Sequence, residues 1–378
     1  MPGWSEATSV LCVRLDALGD VLMTTPALAA LKRANRGRRL TLLTSPAGAA
    51  VAPLLPMVDE MIVYEAPWMK ASPPSNTSAA DQALIDQLRR RRLEAAVIFT
   101  VYSQNPLPAA LLCYLADIPW RLAHCRENPY HLLTHWVSER EPQELVRHEA
   151  QRQLDLVATV GVQADDPRLV IDVRKQVVLR MRERLTSAGL RLHEPWIVLH
   201  AGASAASRRY PPEGLAAAAR RLHLDRGCQL VFTGSQSERG LVQSIRDAAG
   251  VPSHSLAGQT DLEEFAALLS LAPLLVSNNT AAVHVAAAVG APVVDLYALT
   301  NPQHGPWQVP HETLFHDVPC RNCYKSVCPQ EHHDCLRLVS PDAVIAAAAR
   351  LLGHPIARAR LASHFMDQND LRRASCIP

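Results

Sequence analysis

Aromatic side chains are scarce in this chain, only 5% of 378 residues, and neither sign of charge dominates. There are 38 Lys and Arg against 36 Asp and Glu, a formal charge of +2. That balance argues against a general nucleic-acid binder, which carries a basic excess, and leaves room only for a local basic patch. The opening "MPGWSEATSV" lacks a basic region followed by a long apolar stretch, so no export signal is expected. The most apolar later run, "AAVHVAAAVGAPVVDLYAL", is broken by His284, Gly290, Pro292 and Asp295 and does not read as a membrane span. No G-x-G-x-x-G follows the first strand-like run. Neither G-x-x-x-x-G-K-[ST] nor G-x-S-x-G occurs, so the dinucleotide, P-loop and nucleophile-elbow fingerprints are absent. Cysteines number nine, and an odd total without an export signal points to reduced thiols and a cytoplasmic protein.

Apolar residues make up 48% of a chain too long for one typical core, so two domains are expected. Strand-like runs "VLCVRL", "RLTLLTS", "EMIVYE" and "AAVIFT" alternate with helical patterns such as "DVLMTTPALAALKRA" and "SAADQALIDQLRRRRLE". "SPPSNTS" reads as a loop. The polar "QADDPRL" places a boundary near Asp165 to Lys175, giving domains 1–170 and 171–353. The alternation then restarts with "WIVLHAG", "CQLVFTG", "PLLVSNN" and "APVVDLYA", each followed by helical sequence or a turn. Residues 354–378 read as a polar tail with no packing pattern. The expected fold class is α/β, two doubly wound Rossmann-like domains with an interdomain cleft.

In such sheets ligands bind beyond the carboxyl ends of the strands, where four loops stand out. "DALGD" carries Asp16 and Asp20, either solvated loop charges or a carboxylate that does chemistry. "HAGASAASRRYPP" offers small residues, Ser204, and two guanidinium groups, of which Arg208 or Arg209 can neutralise a diphosphate. "TGSQSER" offers Glu238, as a helix cap or as a holder of a ribose hydroxyl pair. "SNNTAAVH" ends a strand and opens a helix with Thr280, Ala281 and Ala282, small residues that let an anion approach free backbone N–H groups. His284 adds a donor one turn in; the competing reading is that Asn278 and Thr280 only cap the helix and His284 only packs.

Together "LGDVLMTTPAL", "HAGASAASRRYP", "TGSQSE" and "SNNTAAVHVAAAVGAPVVDLY" resemble the ADP-heptose glycosyltransferases of family 9, over about Val10 to Leu352. The resemblance implies the two-domain glycosyltransferase B fold and inverting transfer of heptose from ADP-heptose to a sugar acceptor. It makes Asp20 the general base on the acceptor hydroxyl, with Asp16 structural, and sets Arg208 where the family's members have lysine near the donor diphosphate. Ser204, Glu238, Asn279, Thr280, Ala281 and His284 fall at donor-binding positions. Asn279 and Ala281 depart from the family's Asp-Thr-Gly, losing a charge and adding a methyl group. The first domain would bind the acceptor and the second the nucleotide sugar, without a catalytic cofactor. The acceptor, whether glycan, glycolipid, protein or small molecule, is not encoded in a recognisable motif. The setting implied is cytoplasmic, extending to peripheral contact at the inner face of the inner membrane. Two rivals keep the scaffold: a nucleotide-sugar epimerase or hydrolase, and a non-catalytic nucleotide-sugar binder, which Asn279 and Ala281 favour.

"CRNCYKSVCPQEHHDC" groups Cys320, Cys323, Cys328 and Cys335. Four thiolates would complete a structural zinc or iron site; free thiols or an oxidised disulfide are the alternatives.

Overall fold

The computed structural model describes residues 3–70 and 77–363. Most of the "SPPSNTS" loop and the end of the tail lie outside the described residues. The chain divides into two compact units, Met1–Asp172 and Val173–Pro378.

The first unit is built on six parallel strands: β1 (Ser9–Arg14), β2 (Arg39–Thr44), β3 (Glu60–Val63), β4 (Ala95–Ile98), β5 (Trp120–Cys125) and β6 (His135–Ser138). Their order is β3-β2-β1-β4-β5-β6. Helices α1 (Leu18–Ala34), α2 (Pro46–Ala49), α3 (Ala79–Arg90), α4 (Leu107–Leu115) and α5 (Glu149–Ala158) complete it. β1 and β4 are buried along nearly their whole length, which is why they read as unbroken apolar runs. α1 is the long central helix and packs against α5. It tolerates Pro26 because Thr25 Oγ1 donates to the Leu22 carbonyl at 2.6 Å, replacing the N–H that proline lacks.

The second unit repeats the plan. Its strands are β7 (Trp196–His200), β8 (Gln229–Thr233), β9 (His254–Ser255), β10 (Leu275–Asn278), β11 (Val293–Leu296) and β12 (His311–Leu314), all parallel, in the order β12-β11-β10-β7-β8-β9. Its helices are α6 (Lys175–Ser187), α7 (Pro212–Arg226), α8 (Arg239–Ala249), α9 (Leu262–Leu271), α10 (Ala281–Ala288), α11 (Asp334–Arg337) and α12 (Pro341–Leu352). Prolines open α7 and α12, and Gly227 ends α7 in the left-handed conformation at φ 64°. In both sheets the direction of winding reverses beside the first strand, between β1 and β4 and between β7 and β10. Each reversal opens a crevice at the strands' carboxyl ends.

One expectation needs correction. The chain beyond α12 is not simply a polar tail: residues 355–363 are helical. Ala357 is fully buried, and the Arg360 guanidinium donates to the carbonyls of Leu269, Ser270, Ala272 and Val289 at 2.6–3.0 Å. Those carbonyls close α9 and α10 and would otherwise lack partners, so an arginine there serves as a helix C-cap from a distance. Residues 364–378 lie outside the described residues.

Candidate functional site

In the first unit the "DALGD" loop leaves β1 at the crevice. Arg14, the last residue of β1, is fully buried and ties the loop together. Its guanidinium meets Asp16 Oδ2 at 2.9 Å, Asp20 Oδ1 at 3.3 Å and Glu149 Oε1, from α5, at 2.7 Å. Burial alone would weaken the cation, but the three carboxylates outweigh it and hold the guanidinium charged. Asp20 sits in the first turn of α1, and its Oδ2 accepts from the Ala17 amide at 3.2 Å, helping to cap the helix. Asp16 accepts from Gln104 Nε2. Burial pushes its carboxyl up to about 6 against the pull of Arg14, with Asp20 adding to the rise.

Both carboxylates line a cavity of about 680 Å³, together with Ser45, Glu65, Trp68, Lys70, Ser103, Gln104 and Asn105. Their side chains keep 12% and 18% of their surface exposed, enough for each to reach a bound hydroxyl. Most of the rest of the wall is apolar, with Leu15, Met69, Phe99 and Pro108 among it, and this mix of apolar faces and polar groups suits a sugar ring. Arg14 and Glu149 were not apparent as site residues in the sequence, since 135 positions separate them.

In the second unit the three sequence-identified loops meet at the β7/β10 crevice. Asn278, the end of β10, stitches two of them. Its Nδ2 donates to the carbonyls of Ala201 and Gly202, and its Oδ1 accepts from the Tyr210 amide at 2.8 Å. Ser204 is exposed in the loop so held. Arg208 ends a short 3₁₀ turn, Ala206–Arg208, that is pinned by Ser207 bonding the carbonyls of Lys325 and Ser326. The Arg208 guanidinium makes no hydrogen bond to the described residues and lies near enough to the buried Tyr297 hydroxyl to act on it. Arg209 instead donates to the Ala203 carbonyl at 2.8 Å.

Glu238 caps its own turn, accepting from the Ser235 amide at 2.7 Å. Its carboxyl also lies over Gly202, where an added Cβ would come within 2.1–2.3 Å of it. Thr280 caps α10 through its Oγ1, which accepts from the Ala282 amide at 3.4 Å, and Ala281 is the first helical residue. His284 is buried one turn in, edge-on to His304 with ring centroids 6.5 Å apart. Asn279 is buried, and its Nδ2 donates to Asp295 Oδ2 at 2.9 Å and to the His304 carbonyl at 2.8 Å. Asp295, on β11, carried no sequence signal beyond breaking an apolar run.

The cysteine segment draws its four thiols together. Cys320, Cys323, Cys328 and Cys335 surround a small space with His332 and His333, and Cys320 Sγ lies 3.8 Å from His332 Nε2. Burial, and then the neighbouring thiols, push Cys335 up to about 11. Among the described residues no three His, Cys, Asp or Glu side chains converge to hold an ion, so the zinc or iron expectation gains no support.

Comparison with known proteins gives a consistent result. The family described as glycosyltransferase family 9 (heptosyltransferase) matches residues 82–333. A protein of Haemophilus influenzae described as a putative glycosyltransferase is 24% identical over 303 residues, covering 76% of this chain and 82% of that one. Among solved structures, the family 9 glycosyl transferase of Veillonella parvula superposes with a TM-score of 0.72 at 22% identity, over 91% of this chain and 96% of that one. The ADP-heptose LPS heptosyltransferase II of Escherichia coli superposes with a TM-score of 0.69 at 21% identity, over 91% and 98%. The two six-stranded parallel sheets are the fold of those enzymes.

Proposed function

This chain belongs to glycosyltransferase family 9, and from that premise we propose that it moves a heptose from ADP-heptose to an acceptor hydroxyl with inversion, Asp20 serving as general base. The observation that carries the reading is the Asp20 carboxylate, fixed by Arg14 and opening on a cavity of about 680 Å³. The first unit holds the acceptor there. The second binds the nucleotide sugar with the loops that Asn278 joins. Arg208 and the start of α10 at Thr280 and Ala281 take the diphosphate, Ser204 and His284 add hydrogen bonds, and Glu238 takes the ribose. In one displacement the acceptor oxygen bonds to the anomeric carbon as the bond from that carbon to the phosphate oxygen breaks. The acceptor proton passes to Asp20, and ADP leaves with its new charge stabilised by Arg208. An Arg there presents a planar fork of donors to two phosphate oxygens.

Among the described residues no helix is long and apolar enough to cross a membrane. The relative from E. coli acts, by its description, on lipopolysaccharide. A glycolipid acceptor reached by peripheral contact at a membrane's cytoplasmic face is the corresponding proposal here.

A second reading gives the base to Asp16, which shares the cavity and whose carboxyl burial lifts to about 6. Paired substitutions separate the two. Asp20→Asn is expected to fold, to keep stabilisation by ADP, and to lose ~10²- to 10⁴-fold in transfer rate. Asp16→Asn is expected to be milder. Transfer by Asp20→Asn at close to the wild-type rate would refute the assignment, and a larger loss in Asp16→Asn would hand the role to Asp16.

A further inference from the structure

The Asn279 side chain donates to two acceptors. Asp295 Oδ2 and the His304 carbonyl take both hydrogens of its Nδ2. Its amide orientation is therefore fixed: the nitrogen points inward and the only group left to use is Oδ1. No described residue donates to that oxygen, and the residue keeps 5% of its surface open. An amide at this position satisfies both acceptors at once, whereas a carboxylate would do so only by sharing a proton.

Asp295 is the unexplained member. It is fully buried on β11 among Val293, Val294 and Leu296, where an apolar side chain would pack without loss. Its Oδ1 has no hydrogen-bond partner, and Asn279 is what its Oδ2 holds. Burial pushes the carboxyl up to about 7, with only the bond from Asn279 pulling the other way. A buried acid so poorly satisfied costs stability, and no packing role accounts for it.

We propose that Asp295 is a positioning residue for the donor sugar, locking the Asn279 carboxamide so that Oδ1 alone is presented to the nucleotide sugar, where it accepts a hydrogen bond from a sugar hydroxyl. The arrangement selects a donor whose sugar has a hydroxyl to give at that point, and it supplies a neutral acceptor without a second buried charge. This rests on the second unit being the donor site.

Steady-state kinetics with ADP-heptose, and calorimetric binding of ADP-heptose and of ADP, test it. Asp295→Ala is expected to raise the donor KM about tenfold and to leave the acceptor KM and the affinity for ADP, which lacks the heptose, unchanged. Asn279→Ala should do the same. Because Asp295 acts through Asn279, the double variant should be no worse than Asn279→Ala alone. Asp295→Asn, which keeps an acceptor oxygen, should recover most of the loss. An unchanged donor KM in Asp295→Ala, or losses that multiply in the double variant, would overturn the proposal. If Asp295→Ala does not fold, Asn279→Asp decides: it should bind ADP-heptose more weakly than Asn279→Ala, and wild-type affinity in it would overturn the proposal. Binding separates this inference from the transfer reading. A wild-type protein that transfers no sugar but binds ADP-heptose more tightly than ADP would fail the latter and still report on the former. Equal affinity for the two ligands would refute the inference.

Discussion

Replacing Arg14 by methionine removes the cation at the centre of the first unit's site while filling its space. Three carboxylates then face one another. Glu149 is fully buried and keeps only its bond from Gln153 Nε2 at 2.6 Å, while Asp16 and Asp20 border the cavity and can rehydrate. Breaking one side of a buried ion pair costs ~3–5 kcal/mol, and the open flank of Asp16 and Asp20 favours the lower end. The sign of the pH effect follows from Asp16. Its carboxyl is raised in the folded chain to about 6 from 3.8, so the folded state binds more protons between those values. Stability falls as pH rises through that window and returns as pH drops. Without Arg14, the main influence lowering that carboxyl, the window extends upward. Urea unfolding of wild type and Arg14→Met at about pH 5 and about pH 8 reads both parts. The variant's deficit should reach about 3 kcal/mol at the higher pH and shrink at the lower. A deficit below about 1 kcal/mol, or one equal at the two pH values, would mean that Arg14 does not hold the carboxylates ionised.

Two further substitutions probe the second unit. Gly202→Ala should push the Glu238 carboxyl off the loop, since the new Cβ would overlap it at 2.1–2.3 Å; ADP affinity by calorimetry should fall about tenfold, and an unchanged value would separate Glu238 from the nucleotide. Arg360→Ala leaves four carbonyls of α9 and α10 without their donor and should cost ~2–3 kcal/mol in thermal unfolding; wild-type stability would show that the segment after α12 is not part of the fold.

Most strands read directly were those buried on both faces; β3, "EMIVYE", is an edge strand with Met61 and Val63 exposed and was read from its short apolar run alone. β1, β2, β4, β7, β8, β10 and β11 appear in the sequence as apolar runs because helices cover both sides of each sheet. β5, "WRLAHC", hides because Arg121 and His124 are inside it. Arg121 spends its guanidinium on the carbonyls of Leu132, His131, Pro119 and Ile118, which no periodicity could announce. β6 and β12 are four-residue edge strands with mixed faces, and α6 begins at the polar boundary without a capping side chain. At the candidate site, the choice of Asp20 over Asp16 rests on the family resemblance, whereas the loops were legible because their residue types and order follow the chain. What joins them was not. Glu149 reaches Arg14 from α5, Asn278 crosses from β10 to the loop after β7, and Asp295 reaches Asn279 from the neighbouring strand. Such partners depend on strand order, which a sequence does not display.

The same strand order appears twice, and each copy closes its own crevice with its own residues. Arg14 meets Asp16, Asp20 and Glu149 of the first unit, while Asn278 bonds the loop after β7, Asp295 bonds Asn279 and Glu238 bonds Ser235 in the second. With the acceptor proposed for the first unit and the nucleotide sugar for the second, change around the first crevice would alter which acceptor is taken and leave the residues proposed to grip the nucleotide in place, and a junction at residue 172 would let recombination exchange one half at a time.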